Sequence, residues 1–134
     1  MFRYVLVFLC LFSPVLLIGQ QIGIGGWEMH LNYSHVNTVE QNGSSIYVGT
    51  QSGLFKYDSA DNSITTFSKL DGLSDLNISA LNYDLNSRSL LIGYENGNVD
   101  VLNEGGVINL PEIKNANVLS PKKINDIFIH KDLA

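Results

Sequence analysis

The sequence predicts an all-β chain built from repeated four-stranded units, and three observations carry that prediction. First, Ile46 to Asp58 (I-Y-V-G-T-Q-S-G-L-F-K-Y-D) recurs at Leu90 to Leu102 (L-L-I-G-Y-E-N-G-N-V-D-V-L), which sets Gly49 on Gly93 and Gly53 on Gly97 at an offset of 44 residues. Second, short apolar runs alternate with clusters of Asn, Asp, Gly and Ser from residue 36 to residue 111, the pattern of strands joined by tight turns. Third, Ile124, Ile127 and Ile129 repeat the spacing of Ile78, Leu81 and Tyr83. Strand-built repeats of about this length stack as the slices of a β-propeller, because one such unit cannot bury its own faces. The expected fold is a partial β-propeller, two four-stranded blades plus the first strand of a third.

The elements follow in order. Met1 to Tyr4 carries one positive charge, at Arg3, and Val5 to Ile18 is apolar apart from Ser13 and Pro14. That run is shorter than the roughly 20 residues of a membrane-spanning helix. It reads as a secretory signal over residues 1–20, with cleavage near Gly19–Gln20–Gln21 and an uncleaved anchor as the alternative. Cys10, the single cysteine, leaves with the signal, so the mature chain has no disulfide and relies on core packing. Residues 21–35 form a lead segment. In it Trp27, Met29 and Leu31 alternate with Glu28 and His30, which suggests a strand with Trp27 turned inward, placed to close the ring against the last blade.

The propeller domain then runs over residues 36–134, with one blade at 36–70, another at 76–111 and the start of a third at 123–134. Val36 and Val39 open the first strand, and Asn42-Gly43-Ser44 turns it. Ile46, Tyr47 and Val48 are apolar on both faces, as an inner strand between neighbouring blades should be. Gly49 and Gly53 bracket the next hairpin, where positive φ or close backbone approach is needed. Leu54, Phe55 and Tyr57 form the third strand, Asp61-Asn62-Ser63 turns it, and Ile64 to Phe67 is a half-exposed outer strand with two threonines. The segment Asp71-Gly72-Leu73-Ser74-Asp75 carries the chain onward. Ile78, Leu81 and Tyr83, then Leu90 to Ile92, then Val99 and Val101, retrace the same path around Gly93 and Gly97. Gly105-Gly106 makes the last hairpin, Val107 to Leu110 the outer strand, and Pro111 ends it. Stopping one strand into a blade leaves an unpaired apolar edge, so a longer natural protein is expected.

The chain's formal charge is −5, or −6 once Arg3 is removed, and Lys and Arg form no cluster. That disfavours a phosphate-backbone partner, so no nucleic acid is expected. No catalytic residue, cofactor site or metal site is expected either. His30, His35 and His130 lack a ligand spacing. Gly23 and Gly25-Gly26 follow no strand, so they make no phosphate loop. Asp58, Asp61, Asp71, Asp75 and Asp84 fall in turns and read as turn formers.

Two resemblances follow from these residues. Ile46 to Asp58, with Gly72-Leu73-Ser74-Asp75 and Ile78-Ser79-Ala80-Leu81 leading into the next unit, resembles the two-component-regulator propeller repeat. In the second unit Tyr94 stands where that repeat favours threonine and Asn98 where it favours leucine. The lead Ile24-Gly25-Gly26-Trp27, with His30, Leu31 and Tyr33, together with Ser52 to Asp58, resembles the mature start of PorZ-like proteins of the type IX secretion system. That resemblance implies a non-enzymatic binding and scaffold component, exported to the cell surface or outer membrane of a member of the Bacteroidota. Its implied partners are anionic lipopolysaccharide and the sortase and other secretion components that attach cargo. The alternative, implied by the repeat alone, is the periplasmic sensor region of a hybrid two-component regulator. In neither case does the mature part span a membrane.

Overall fold

The computed structural model describes residues 33–130. The signal, Cys10, Trp27 and His30 lie outside the described residues, as does the proposed ring closure. Eight strands form two separate antiparallel sheets, each a four-stranded meander. The first sheet holds β1 (Val36–Asn42), β2 (Ser45–Thr50), β3 (Leu54–Asp58) and β4 (Ser63–Phe67); the second holds β5 (Ile78–Asp84), β6 (Ser89–Tyr94), β7 (Val99–Asn103) and β8 (Gly106–Leu110). The turns use residues suited to left-handed backbone: Gly43 (φ 59°), Asn62 (φ 59°) and Gly106 (φ 115°).

The segment between the sheets is ordered by its own polar groups. Ser68 caps a 3₁₀ turn at Lys69–Asp71: its Oγ accepts from Leu70 N–H, and Asp71 returns a bond to Ser68 N–H at 2.8 Å. Gly72 (φ 104°) then reverses the chain and drops Leu73 into the interior, where it is 3% exposed. A short helix not foreseen from sequence, α1 (Glu112–Asn115), follows Pro111.

The core lies between the two sheets. Leu54 from the first meets Ile78, Leu81, Leu90, Ile92 and Tyr94 from the second, with Leu73 between, and Tyr47, Phe67, Tyr83, Leu102 and Val107 packed around them. Side chains alternate across each strand, so Gly49 and Leu54, which pair, face the second sheet, while Val48 and Phe55 face away from it. Burying a Leu or Ile side chain is worth roughly 1.5–3 kcal/mol. The shared seam therefore contributes most of what holds either sheet.

Both sheets begin with the same irregularity. In β1–β2 the register steps from Val36↔Thr50 to Thr38↔Gly49 and skips Asn37; in β5–β6 it steps from Ile78↔Tyr94 to Ala80↔Gly93 and skips Ser79. Such bulges re-aim a side chain. Asn37 Nδ2 donates to Ile78 O at 2.9 Å, and Ser79 Oγ donates to Ile124 O at 2.6 Å. Each bulged residue thus holds the unit that follows it.

The expected first strand of a third blade forms no ladder among the described residues, since no described strand lies alongside to pair with it. Ile124 still docks as Ile78 does. A Cβ placed on Gly49 would lie 2.5 Å from Ile78 Cγ2, and one on Gly93 would lie 2.6 Å from Ile124 Cγ2.

Candidate functional site

The repeat-motif residues do not all match as the ungapped alignment sets them. In the first sheet Thr50 N–H donates to Gly53 O (2.9 Å), closing a two-residue loop. In the second, Tyr94 N–H donates to Asn98 O (3.0 Å), closing a three-residue loop whose last member, Gly97, has φ 85°. The counterpart of Gly53 is therefore Asn98, and Gly97 is the inserted left-handed residue. Downstream, Gly49 pairs with Leu54 and Gly93 with Val99. Val99 thus takes the place of Leu54 rather than of Phe55, and Val101 the place of Lys56 rather than of Tyr57. The true counterpart of Phe55 is Asp100, and that of Tyr57 is Leu102. Gly49 and Gly93 do match, and both are needed for close approach rather than for positive φ.

The insertion brings together a polar cluster that sequence reasoning missed. Asp100 is 0% exposed. Its Oδ2 accepts from Tyr94 OH (2.6 Å) and Ser74 N–H (2.8 Å), and its Oδ1 accepts from Asn109 Nδ2 (2.8 Å). Asn109 also donates to Asn98 Oδ1 (2.9 Å), and Asn98 Nδ2 donates to Asp75 Oδ2 (2.7 Å), which Lys114 Nζ of α1 approaches at 2.7 Å. Burial, then the Asp100 hydrogen bond and charge, push the Tyr94 phenol far above its usual value, so it stays a donor. Burial pushes Asp75 up, but hydrogen bonds from Lys114, Asn96 and Asn98 and the Lys114 charge outweigh it and hold its carboxyl below the usual value. With every buried side-chain N and O partnered among the described residues, the cluster is a satisfied lock rather than a reactive group. The visible signal was an aspartate in the middle of the apolar strand Val99–Asn103.

The opposite end of the seam is open. A cleft of 340 Å³ lies between the sheets on a floor of Phe67, Leu90 and Leu102. One wall is the stacked pair Tyr47 and Tyr83, 5.7 Å between centroids and 19° between planes. Lys56, Arg88, Asn103 and Glu104 line the rest, and a second hollow of 250 Å³ shares the last three. Glu40 of β1 accepts from Tyr83 N–H at 3.1 Å and ties the two sheets beside the cleft. Burial, then Tyr83 and Asp58, raise the Tyr47 phenol, so it remains neutral.

The other residues singled out from sequence are dispersed. Asp58, Asp61, Asp71 and Asp84 accept turn N–H groups from Ala60, Ser63, Ser68 and Asn86, as turn formers do. Asp75 departs from that role through its pair with Lys114. His35 lies on an exposed stretch beside Ser34 (3.2 Å). Among the described residues no three of His, Cys, Asp and Glu gather as a metal site would require.

Residues 46–134 match the family model described as the N-terminal β-propeller domain of PorZ of the type IX secretion system. No curated protein matches the chain. A solved structure of PorZ from Porphyromonas gingivalis, described as an essential bacterial surface component of the type IX secretion system, is similar with a TM-score of 0.67 and 27% identity. The likeness covers 75% of this chain but only 14% of that one.

Proposed function

Because the chain belongs to the family of PorZ N-terminal β-propeller domains, we propose that it serves as a non-enzymatic surface component of the type IX secretion system, one that binds anionic lipopolysaccharide and passes it to the cargo-attaching sortase. The observation that carries this reading is the family match over residues 46–134, on a fold of two docked blades. The geometry supports binding: among the described residues the buried polar side chains are satisfied, and the open cleft presents rings and fixed charges. No helix among the described residues is long and apolar enough to cross a membrane, which suits a part held at the surface through partners. The alternative, a sensor propeller feeding a kinase, shares the repeat phrase but not the family match.

The test is deletion of the gene in its host, with cargo attachment followed by surface labelling and the full protein used to pull down purified lipopolysaccharide. Released, unattached cargo and saturable capture are expected. Normal attachment in the deletion strain rejects the proposal.

A further inference from the structure

A chain of net charge −5 is an awkward receptor for an anionic ligand, so such a ligand needs a local cation free to meet it. The cleft between the blades offers one. Its charged lining is Lys56, Arg88 and Glu104; with Asp58 beside Lys56 the formal charges balance, and Arg88 is the cation left to meet an anion. Lys56 is partly offset by Asp58 at 3.6 Å, while Arg88 and Glu104 have no ion-pair partner among the described residues.

Arg88 also occupies a position that its residue type does not explain. It holds φ 52° at the end of the β5–β6 turn. The corresponding turn of the first blade fills its left-handed position with Gly43. A β-carbon is disfavoured in that region, and only Gly, Asn and Asp visit it readily. The rest of the turn is braced around it, with Asp84 accepting from Asn86 N–H, Ser87 N–H and Ser87 Oγ. An unfavourable conformation kept at the mouth of a cleft points from geometry to function.

We infer that this cleft seats an acidic sugar, with Arg88 as its anion contact. The inference rests on the lipopolysaccharide reading above and locates its site. The stacked Tyr47–Tyr83 wall offers an apolar ring surface for the C–H face of a pyranose. Asn103 and Glu104 supply acceptors and a donor for its hydroxyls. Arg88 binds a carboxylate or a phosphate through its planar fork, with Lys56 as a second cation. A volume of 340 Å³ lies within the range of small-ligand sites.

The experiment uses the full protein, titrated by calorimetry with digalacturonic acid, mannose 6-phosphate and neutral cellobiose. The parent should bind one or both acidic probes at least tenfold more tightly than cellobiose; the better acidic probe tells carboxylate from phosphate. Arg88→Gly should lose at least tenfold in that affinity while its thermal midpoint stays level or rises, because glycine relieves the backbone. Lys56→Met should lose less. Parental affinity in Arg88→Gly, or equal binding of cellobiose by the parent, overturns the inference. Lipopolysaccharide that binds Arg88→Gly as it binds the parent overturns the cleft alone. Failure of lipopolysaccharide to bind a parent that still takes the acidic probes at Arg88 overturns the lipopolysaccharide reading and leaves the cleft standing.

Discussion

The two blades fill one slot with opposite chemistry. In the first blade the segment leading into the sheet meets the third strand through rings: Tyr33 sits edge-on to Phe55, 5.7 Å between centroids and 85° between planes. In the second, the leading segment meets the third strand through hydrogen bonds, Ser74 N–H to Asp100, with Tyr94 and Asn109 completing the carboxylate's partners. Register places Phe55 and Asp100 at the same point, opposite Val48 and Ile92. What is preserved is the shape of the slot. An apolar pair and a fully partnered polar cluster are both admissible there, because neither leaves a buried group unsatisfied.

The largest expected effect comes from breaking the polar version. Asp100→Ala would leave Tyr94 OH and Ser74 N–H without their acceptor, would take one of Asn109's, and should cost about 3 kcal/mol in urea unfolding of the full protein. Converting the slot to the first blade's chemistry, Asp100→Phe with Tyr94→Thr and deletion of Gly97, should recover at least half of that loss. A triple variant no better than Asp100→Ala would show that the two slots are not interchangeable.

Next in size are the glycine sockets. Gly49→Val and Gly93→Val would each drive a side chain into the isoleucine of the following unit and should each cost about 2 kcal/mol. A much smaller loss at Gly93, by the same unfolding measurement, would show that the unit beginning at Ile124 docks differently from the one beginning at Ile78. The bulge residues test the joint more gently. Asn37→Ala and Ser79→Ala each remove one bond to the next unit's carbonyl and should each cost about 1 kcal/mol.

The smallest effect is confined to the second blade. The folded carboxyl of Asp75 sits below its unfolded value of about 3.9. Its contribution is complete above that value and is lost as the pH falls through the folded one. Stability measured from pH 6 down to pH 2 should therefore drop less steeply below about pH 4 in Asp75→Asn than in the parent. Asp58 and Asp61 of the first blade, also held below the usual carboxylate value by turn hydrogen bonds, keep their own slope in both proteins.

The strands and turns were legible because their signals are local. Ile46, Tyr47 and Val48 show an inner strand, and Asn42-Gly43 or Asp61-Asn62 a turn. The glycine pairs were legible as a repeat but misleading as a register. Gly49–Gly53 and Gly93–Gly97 have the same spacing in sequence, yet Gly97 belongs to a loop one residue longer. With a period of two, that single residue moves every later side chain to the other face. Asp100 between Val99 and Val101 was the available clue. The cleft was not legible, because Tyr47 and Tyr83 meet only once two separate sheets have docked. Nor was α1, four residues long and without a side-chain cap.

The isoleucine-over-glycine joint has a direction. In both described joints the plug belongs to the later unit and the socket to the earlier one. The joint is therefore heterologous: a plug meets a socket and never its own kind. Joined this way, units propagate head to tail, and such a series either bends round upon itself and finishes or continues as a filament.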